Sequence, residues 1–242
     1  MTENIRTIKA KDVKGAAIQD NMEFEQFIRN KSRKNKADTE IINSSPNVGT
    51  TGKTEGQNLD MDIKKKIDLA LKRIWTEEIP SDYNRHYLLE EDSLKCALYY
   101  HLRFELGEGW LNRYRIRIYP ELHLEGKRRA DLAIVRVSPK NEREGAFLGK
   151  CIEDYLVIIE LKYKAANAQD DVFYSDVTKL KEYAKIYPKA QLYTGFIKES
   201  GNNNGSWFDG RQTSKWAKGR VTELLGYREE NTGNLKVEIN KY

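Results

Sequence analysis

The most apolar segment of the chain, Tyr155–Tyr163, ends in two opposite charges, Glu160 and Lys162, separated only by Leu161. Its Leu-Val-Ile-Ile centre is the longest uninterrupted aliphatic run and falls far short of the roughly 20 apolar residues of a membrane-spanning helix. A buried strand in a soluble protein is the expectation, with no membrane partner. A strand's period of two sends Glu160 and Lys162 to one face and Leu161 to the other. A carboxylate and an ammonium at the rim of an apolar strand are costly unless each has a partner or a task.

Around this segment the hydrophobic period changes in a fixed order. Ile63, Ile67, Leu71 and Ile74 draw one helical stripe from Asp62 onward, and Leu94, Leu98 and Leu102 draw a second within Tyr87–Leu106, closed by Gly107 and Gly109. Pro80–Tyr83 separates the two. Tyr114–Leu124 and Arg129–Val137 then alternate as strands joined by a tight turn, Glu125-Gly126-Lys127, and the polar stretch Ser138–Glu153 leads as a loop to the strand at Tyr155. Val172–Tyr187 is helical again, Pro188 stops it, and Gln191–Ile197 returns to strand. A helix near Ser214–Leu225 and a last strand at Leu235–Asn240 complete the reading. The fold class is α/β, a mixed central β-sheet flanked by α-helices.

With 39% hydrophobic and 33% charged residues, 242 positions fill one core and leave an appendage. Residues 61–242 make the expected domain. Residues 1–60 hold 10 Lys/Arg and 9 Asp/Glu, so they are no basic arm. Within them Met22–Lys34 can form a short amphipathic helix, and Asn43–Asn58 reads as a flexible linker. The near P-loop Asn47–Thr54 falls in that linker, with Asn47 where the first glycine belongs and no apolar strand before it. The N-terminus carries no secretory pattern, and Cys96 and Cys151 suit neither a disulfide framework nor a thiolate metal site, so the cytoplasm is the expected compartment. A net charge of +5 is compatible with a polyanionic partner without requiring one.

Asp or Glu, any residue, then Lys occurs four times, at Asp12, Asp62, Glu125 and Glu160, and only the last closes a buried strand. Asp131 interrupts the apolar run of the preceding strand and can face Glu160 across a strand pair. Two carboxylates with a backbone carbonyl and waters form an oxygen-only site suited to Mg²⁺ or Mn²⁺ rather than zinc. His86, His101 and His123 show no ligand spacing and read as surface or satisfied core residues.

This order of features resembles the PD-(D/E)XK nuclease superfamily, the restriction-endonuclease-like proteins, over about residues 87–197. The resemblance rests on a helical glutamate in Leu89-Glu90-Glu91-Asp92-Ser93-Leu94, an Asp opening a strand, Glu160-Leu161-Lys162 ending the next one, and a following helix. Glu91 shares the stripe of Leu94, Leu98 and Leu102, with Glu90 as the alternative. The resemblance implies a restriction-endonuclease-like core and Mg²⁺-dependent phosphodiester hydrolysis, endonucleolytic rather than exonucleolytic, leaving 5′-phosphate and 3′-hydroxyl ends. It implies catalytic roles for Glu91, Asp131, Glu160 and Lys162, and a metal held by Asp131, Glu160, the Leu161 carbonyl and Glu91. Lys162 then positions the attacking water. Lys179 and Tyr183 lie on a helix similar to the one behind the family's active site.

Candidate contacts to nucleic acid, expected to be DNA, are Lys127, Arg128, Arg129, Lys164, Lys179 and Tyr183, against the plainer reading of Lys127–Arg129 as a solvated turn. Trp207, Phe208 and Trp216 suit the core better than base stacking. The rival to an enzyme is a catalytically silent nuclease-fold module that binds nucleic acid or a protein partner. Homodimerisation or docking to a partner subunit would fall to residues 1–60. By analogy, phage defence or a mobile element is the setting.

Overall fold

The helical stripe that opens at Ile63 is buried against a six-stranded sheet. The computed structural model describes residues 52–139, 148–164, 171–199 and 205–242. The chain divides into two units after Gly52. The helix expected at Met22–Lys34 and most of the Asn43–Asn58 segment lie outside the described residues. The end of that segment is not a linker: helix α1 spans Gly52–Arg73. Lys53, Glu55 and Gln57 are good helix formers, and packing of the later turns outweighs the roughly 1 kcal/mol that Gly56 costs in a helix.

At Ile74–Glu78 the helix widens into a π-helical turn that buries both Ile74 and Trp75. The Trp75 indole N–H donates to the Leu225 carbonyl at 3.0 Å, which ties this turn to the sheet. The segment expected to break the chain, Pro80–Tyr83, lies in a short helix, α2 (Ile79–Asn84). Ile79 is still helical and donates its N–H to the Ile74 carbonyl, so Pro80, which has no N–H, follows directly on the π-helical turn, a place where helices accommodate irregularity.

Helix α3 (Glu91–Leu106) starts four residues later than expected because Ser93 Oγ takes the amides of Leu89 and Glu90 at 2.9 and 3.0 Å, fixing the chain outside the first turn. Leu94, Leu98, Leu102 and Leu106 form its buried stripe. Gly109, expected as a terminator, instead sits inside a short helix, α4 (Glu108–Arg113).

The sheet follows chain order: β1 (Ile116–His123), β2 (Arg129–Val137), β3 (Ile152–Lys164), β4 (Gln191–Lys198), β5 (Val221–Arg228) and β6 (Leu235–Lys241). β1, β2 and β3 are antiparallel neighbours, β3, β4 and β5 run parallel, and β6 returns antiparallel to β5. The parallel pairs need crossovers, which are made through α5 (Asp171–Ile186) and α6 (Gly210–Ala217). One sheet face packs on α1 to α4 through Ile118, Leu132, Ile159 and Leu161. The other packs on α5 and α6 through Val135, Ile158, Phe196 and Leu225.

The helix expected over Ser214–Leu225 is divided. α6 ends at Ala217, Lys218 (φ 52°) and Gly219 (φ 75°) turn the chain, and Val221–Leu225 is strand, paired on both sides. Leu224 and Leu225 fit either state by propensity, so sheet pairing decides. Trp207 and Phe208 are buried in the α5 face of the core, as their composition suggests.

Candidate active site

The β2–β3 ladder stops at the Leu132–Ile159 pair. Beyond it the Asp131 carboxylate replaces the missing strand partner, with Oδ2 accepting the Leu161 N–H at 2.6 Å. A strand residue presents its N–H and C=O to the same edge, so the Leu161 carbonyl faces Asp131 as well. Asp131 shares the face of Ala133 and Val135, and Glu160 that of Ile158, so both stand on the α5 side of the sheet.

Glu160 is almost fully buried. Its Oε1 accepts from the Tyr183 hydroxyl at 3.0 Å and its Oε2 from Lys179 Nζ at 3.2 Å. Burial, then the neighbouring Asp131 charge, push its carboxyl up to about 8 in spite of Lys179. Asp131 is also raised, first by burial, against the opposing pull of the Leu161 amide and Lys95.

Lys162 reaches from β3 to the first turn of α3, where Nζ donates to Glu91 Oε2 at 2.8 Å, with Asp176 Oδ2 at 3.7 Å. Burial works against its charge, but the Glu91 hydrogen bond and the Asp176 and Glu91 charges outweigh it and leave the ammonium above the ordinary lysine value. Glu90, by contrast, is exposed and lies just outside the helix, so Glu91 is the glutamate that meets the strand. The four residues Glu91, Asp131, Glu160 and Lys162, which span 71 positions of sequence, therefore lie around one end of β3.

No family model, curated protein or solved structure matches the chain.

Three further charged residues complete the cluster. Lys95, one turn after Glu91, is buried and contacts Glu121, with Asp92 at 3.1 Å and Asp131 at 3.8 Å. Asp176 on α5 is 2% exposed; its Oδ1 pairs with Lys179 at 2.7 Å, and its Oδ2 has no hydrogen-bond partner. Glu121 joins from β1. The sequence signal for Lys95 was its place on the stripe of Glu91, Leu98 and Leu102. That for Asp176 was its place on the stripe of Leu180 and Tyr183.

Of the residues expected at nucleic acid, Arg128 Nε donates to Glu182 at 2.8 Å, and Arg129 Nε lies 2.5 Å from Glu121. Tyr183 is fully buried beneath Glu160, out of reach of a polymer, and Lys179 is half-exposed beside it. Lys164 ends β3, its carbonyl taking the Glu199 amide at 3.0 Å. Lys127 lies in the 3-10 turn Glu125–Lys127, where Gly126 supplies the left-handed φ of 72° that the turn needs. His101 bonds Asp82 at 2.8 Å, while His86 and His123 are exposed.

Among the described residues, no three or more His, Cys, Asp and Glu side chains are arranged to hold a metal ion by themselves. Mg²⁺ does not need such a cage, since it keeps several waters and binds through one or two carboxylates. Asp131, Glu160 and the Leu161 carbonyl fit a site of that open kind. A buried carboxyl whose ionisation is opposed by burial and by a neighbouring, partly buried carboxylate is also the chemistry a divalent cation relieves.

Proposed function

We propose that this chain has a restriction-endonuclease-like core and is a Mg²⁺-dependent phosphodiesterase that cuts nucleic acid, DNA in the first instance. The observation that carries the reading is the meeting of Asp131, Glu160, Lys162 and Glu91 at the point where the β2–β3 ladder opens. The order of helix, antiparallel strands, crossover helix and parallel strand agrees with the resemblance in the sequence.

Asp131, Glu160 and the Leu161 carbonyl would hold the cation, with Glu91 nearby. When bound, Mg²⁺ or Mn²⁺ supplies charge neutralisation at the phosphate and at the leaving oxygen. The protein's own groups do the positioning. Lys162, kept protonated by Glu91 and Asp176, is a donor that orients the attacking water and not a base in its resting form. Tyr183 and Lys179 each hold one oxygen of Glu160, and the Asp131 charge acts on the same carboxyl. Of the basic residues, Arg129 is 59% exposed and stands two positions from Asp131, so the outer edge of its guanidinium is placed for a phosphate while Nε stays with Glu121.

One observation favours a silent binding module: Lys162 and Lys179 already pair Glu91 and Glu160. Nicking of supercoiled plasmid in Mg²⁺ and in Mn²⁺ separates the readings. Wild type should nick, while Glu160→Ala and Lys162→Ala lose at least about 100-fold with DNA affinity kept. Metal-independent DNA binding without any cleavage of DNA or RNA would leave the module as the surviving reading.

A further inference from the structure

Glu121 stands directly opposite Asp131 in the β1–β2 register, between the rungs Pro120–Leu132 and Leu122–Ala130. Its own rung is missing, and its backbone is left-handed (φ 55°). A glutamate adopts that conformation only where its surroundings hold it, and such residues gather at functional sites. Two carboxylates facing each other across a strand pair repel. Lys95 lies between them, its ammonium on Glu121 Oε1 and 3.8 Å from Asp131 Oδ1. Arg129 Nε lies 2.5 Å from Oε2 and pairs with it by charge, although that buried oxygen accepts no hydrogen bond. An ammonium buried to this degree is destabilising unless several acids face it, and Asp92 is the third. Asp131 is thus held at both oxygens, Oδ2 by a hydrogen bond from the Leu161 amide and Oδ1 by the Lys95 charge, 3.8 Å away and beyond hydrogen-bond length.

We propose that Lys95 and Glu121 are positioning residues: Glu121, aimed by its left-handed backbone and anchored by Arg129, holds the Lys95 ammonium against Asp131 and so fixes the rotamer in which Asp131 faces Glu160. This gives a task to a buried lysine and a strained glutamate that fold stability alone does not require. The purpose of that rotamer rests on the metal-dependent reading, but the clamp itself acts on the protein without metal or nucleic acid.

The Leu161 amide reports it, because that N–H is bonded to the Asp131 side chain and not to a strand. In the ¹⁵N-labelled full chain, without metal, Lys95→Met should speed hydrogen exchange at Leu161 by about tenfold, the factor one lost hydrogen bond allows. Ile158 and Ile159, on the unbroken ladder, should not change. Glu121→Gln should act in the same direction, and the double variant should be no worse than Lys95→Met. The Mn²⁺ dissociation constant, measured by calorimetry without substrate, should rise roughly 10- to 100-fold, as for other groups that orient a metal ligand.

An unchanged Leu161 amide in folded Lys95→Met overturns the proposal, as does full additivity of the two substitutions. If Lys95→Met does not fold, Glu121→Gln decides alone, since it leaves the lysine stem and the β1 backbone in place. If Leu161 responds but wild type binds no Mn²⁺, the clamp stands and the metal-dependent reading falls.

Discussion

Replacing Glu160 by Gln should stabilise the metal-free protein at high pH, even though it removes a residue assigned to the site. The buried carboxyl is pushed from its usual 4.5 up to about 8. Between those values the folded protein keeps a proton that the unfolded chain has released, so stability falls as pH rises through that window. Below pH 4.5 the effect is absent, and above 8 it is fully present. A displacement of that size corresponds to about 5 kcal/mol, an upper bound because local relaxation and water entry soften it. Glutamine keeps an acceptor for Tyr183 and has nothing to ionise. Urea unfolding of wild type and Glu160→Gln in EDTA, at half-unit steps from pH 5 to 9, measures the difference directly. The variant's advantage should grow monotonically to several kcal/mol. At pH 8.5, Mg²⁺ at about 100 times its dissociation constant should return roughly 2.7 kcal/mol to wild type and nothing to the variant. A stability difference that stays flat from pH 5 to 9 would refute the claim that Asp131 and burial hold Glu160 protonated.

Gly195→Ala should cost about 1–3 kcal/mol in thermal unfolding, because a Cβ there would lie 2.5 Å from Leu161 Cδ2 and 3.1 Å from the Trp75 ring. The same push on Leu161 should reduce nicking. Ser93→Ala should lower stability by about 1 kcal/mol by freeing the two amides that Ser93 Oγ accepts, and circular dichroism should show fraying at the start of α3. Glu223 is buried in β5 and accepts from the Trp207 amide, Asn240 and Tyr242; Glu223→Ala should cost about 3 kcal/mol in urea, and Glu223→Gln clearly less.

The strands β1 to β4 and helix α5 were legible within a few residues, because alternation and helical stripes there agree with the burial that tertiary packing imposes. The Val221–Leu225 strand was not. Its leucines suit both states, and only the register with β4 and β6 selects the strand. The start of α1 was obscured by glycines and asparagines whose local preference is overridden by the packed half of the same helix. In the site, Glu91 was distinguishable from Glu90 by its stripe, and Glu160 from the three other Asp/Glu-x-Lys positions by its strand. Glu121 carried no local signal: its proposed role depends on lying opposite Asp131, 10 residues on in the next strand, and nothing in its neighbours marks the left-handed backbone (φ 55°). Arg128 looked free in a basic turn, but Glu182 lies 54 residues away in sequence and beside it in space.

The central claim is that Asp131, Glu160 and the Leu161 carbonyl share one hard divalent cation. A crystal of the full chain soaked in Mn²⁺, with data collected at the manganese absorption edge, tests it most directly. The account predicts one strong anomalous peak within about 2.0–2.3 Å of those three oxygens, absent in Glu160→Gln. Anomalous density confined to other surface carboxylates, with Lys179 still pairing Glu160, would contradict it.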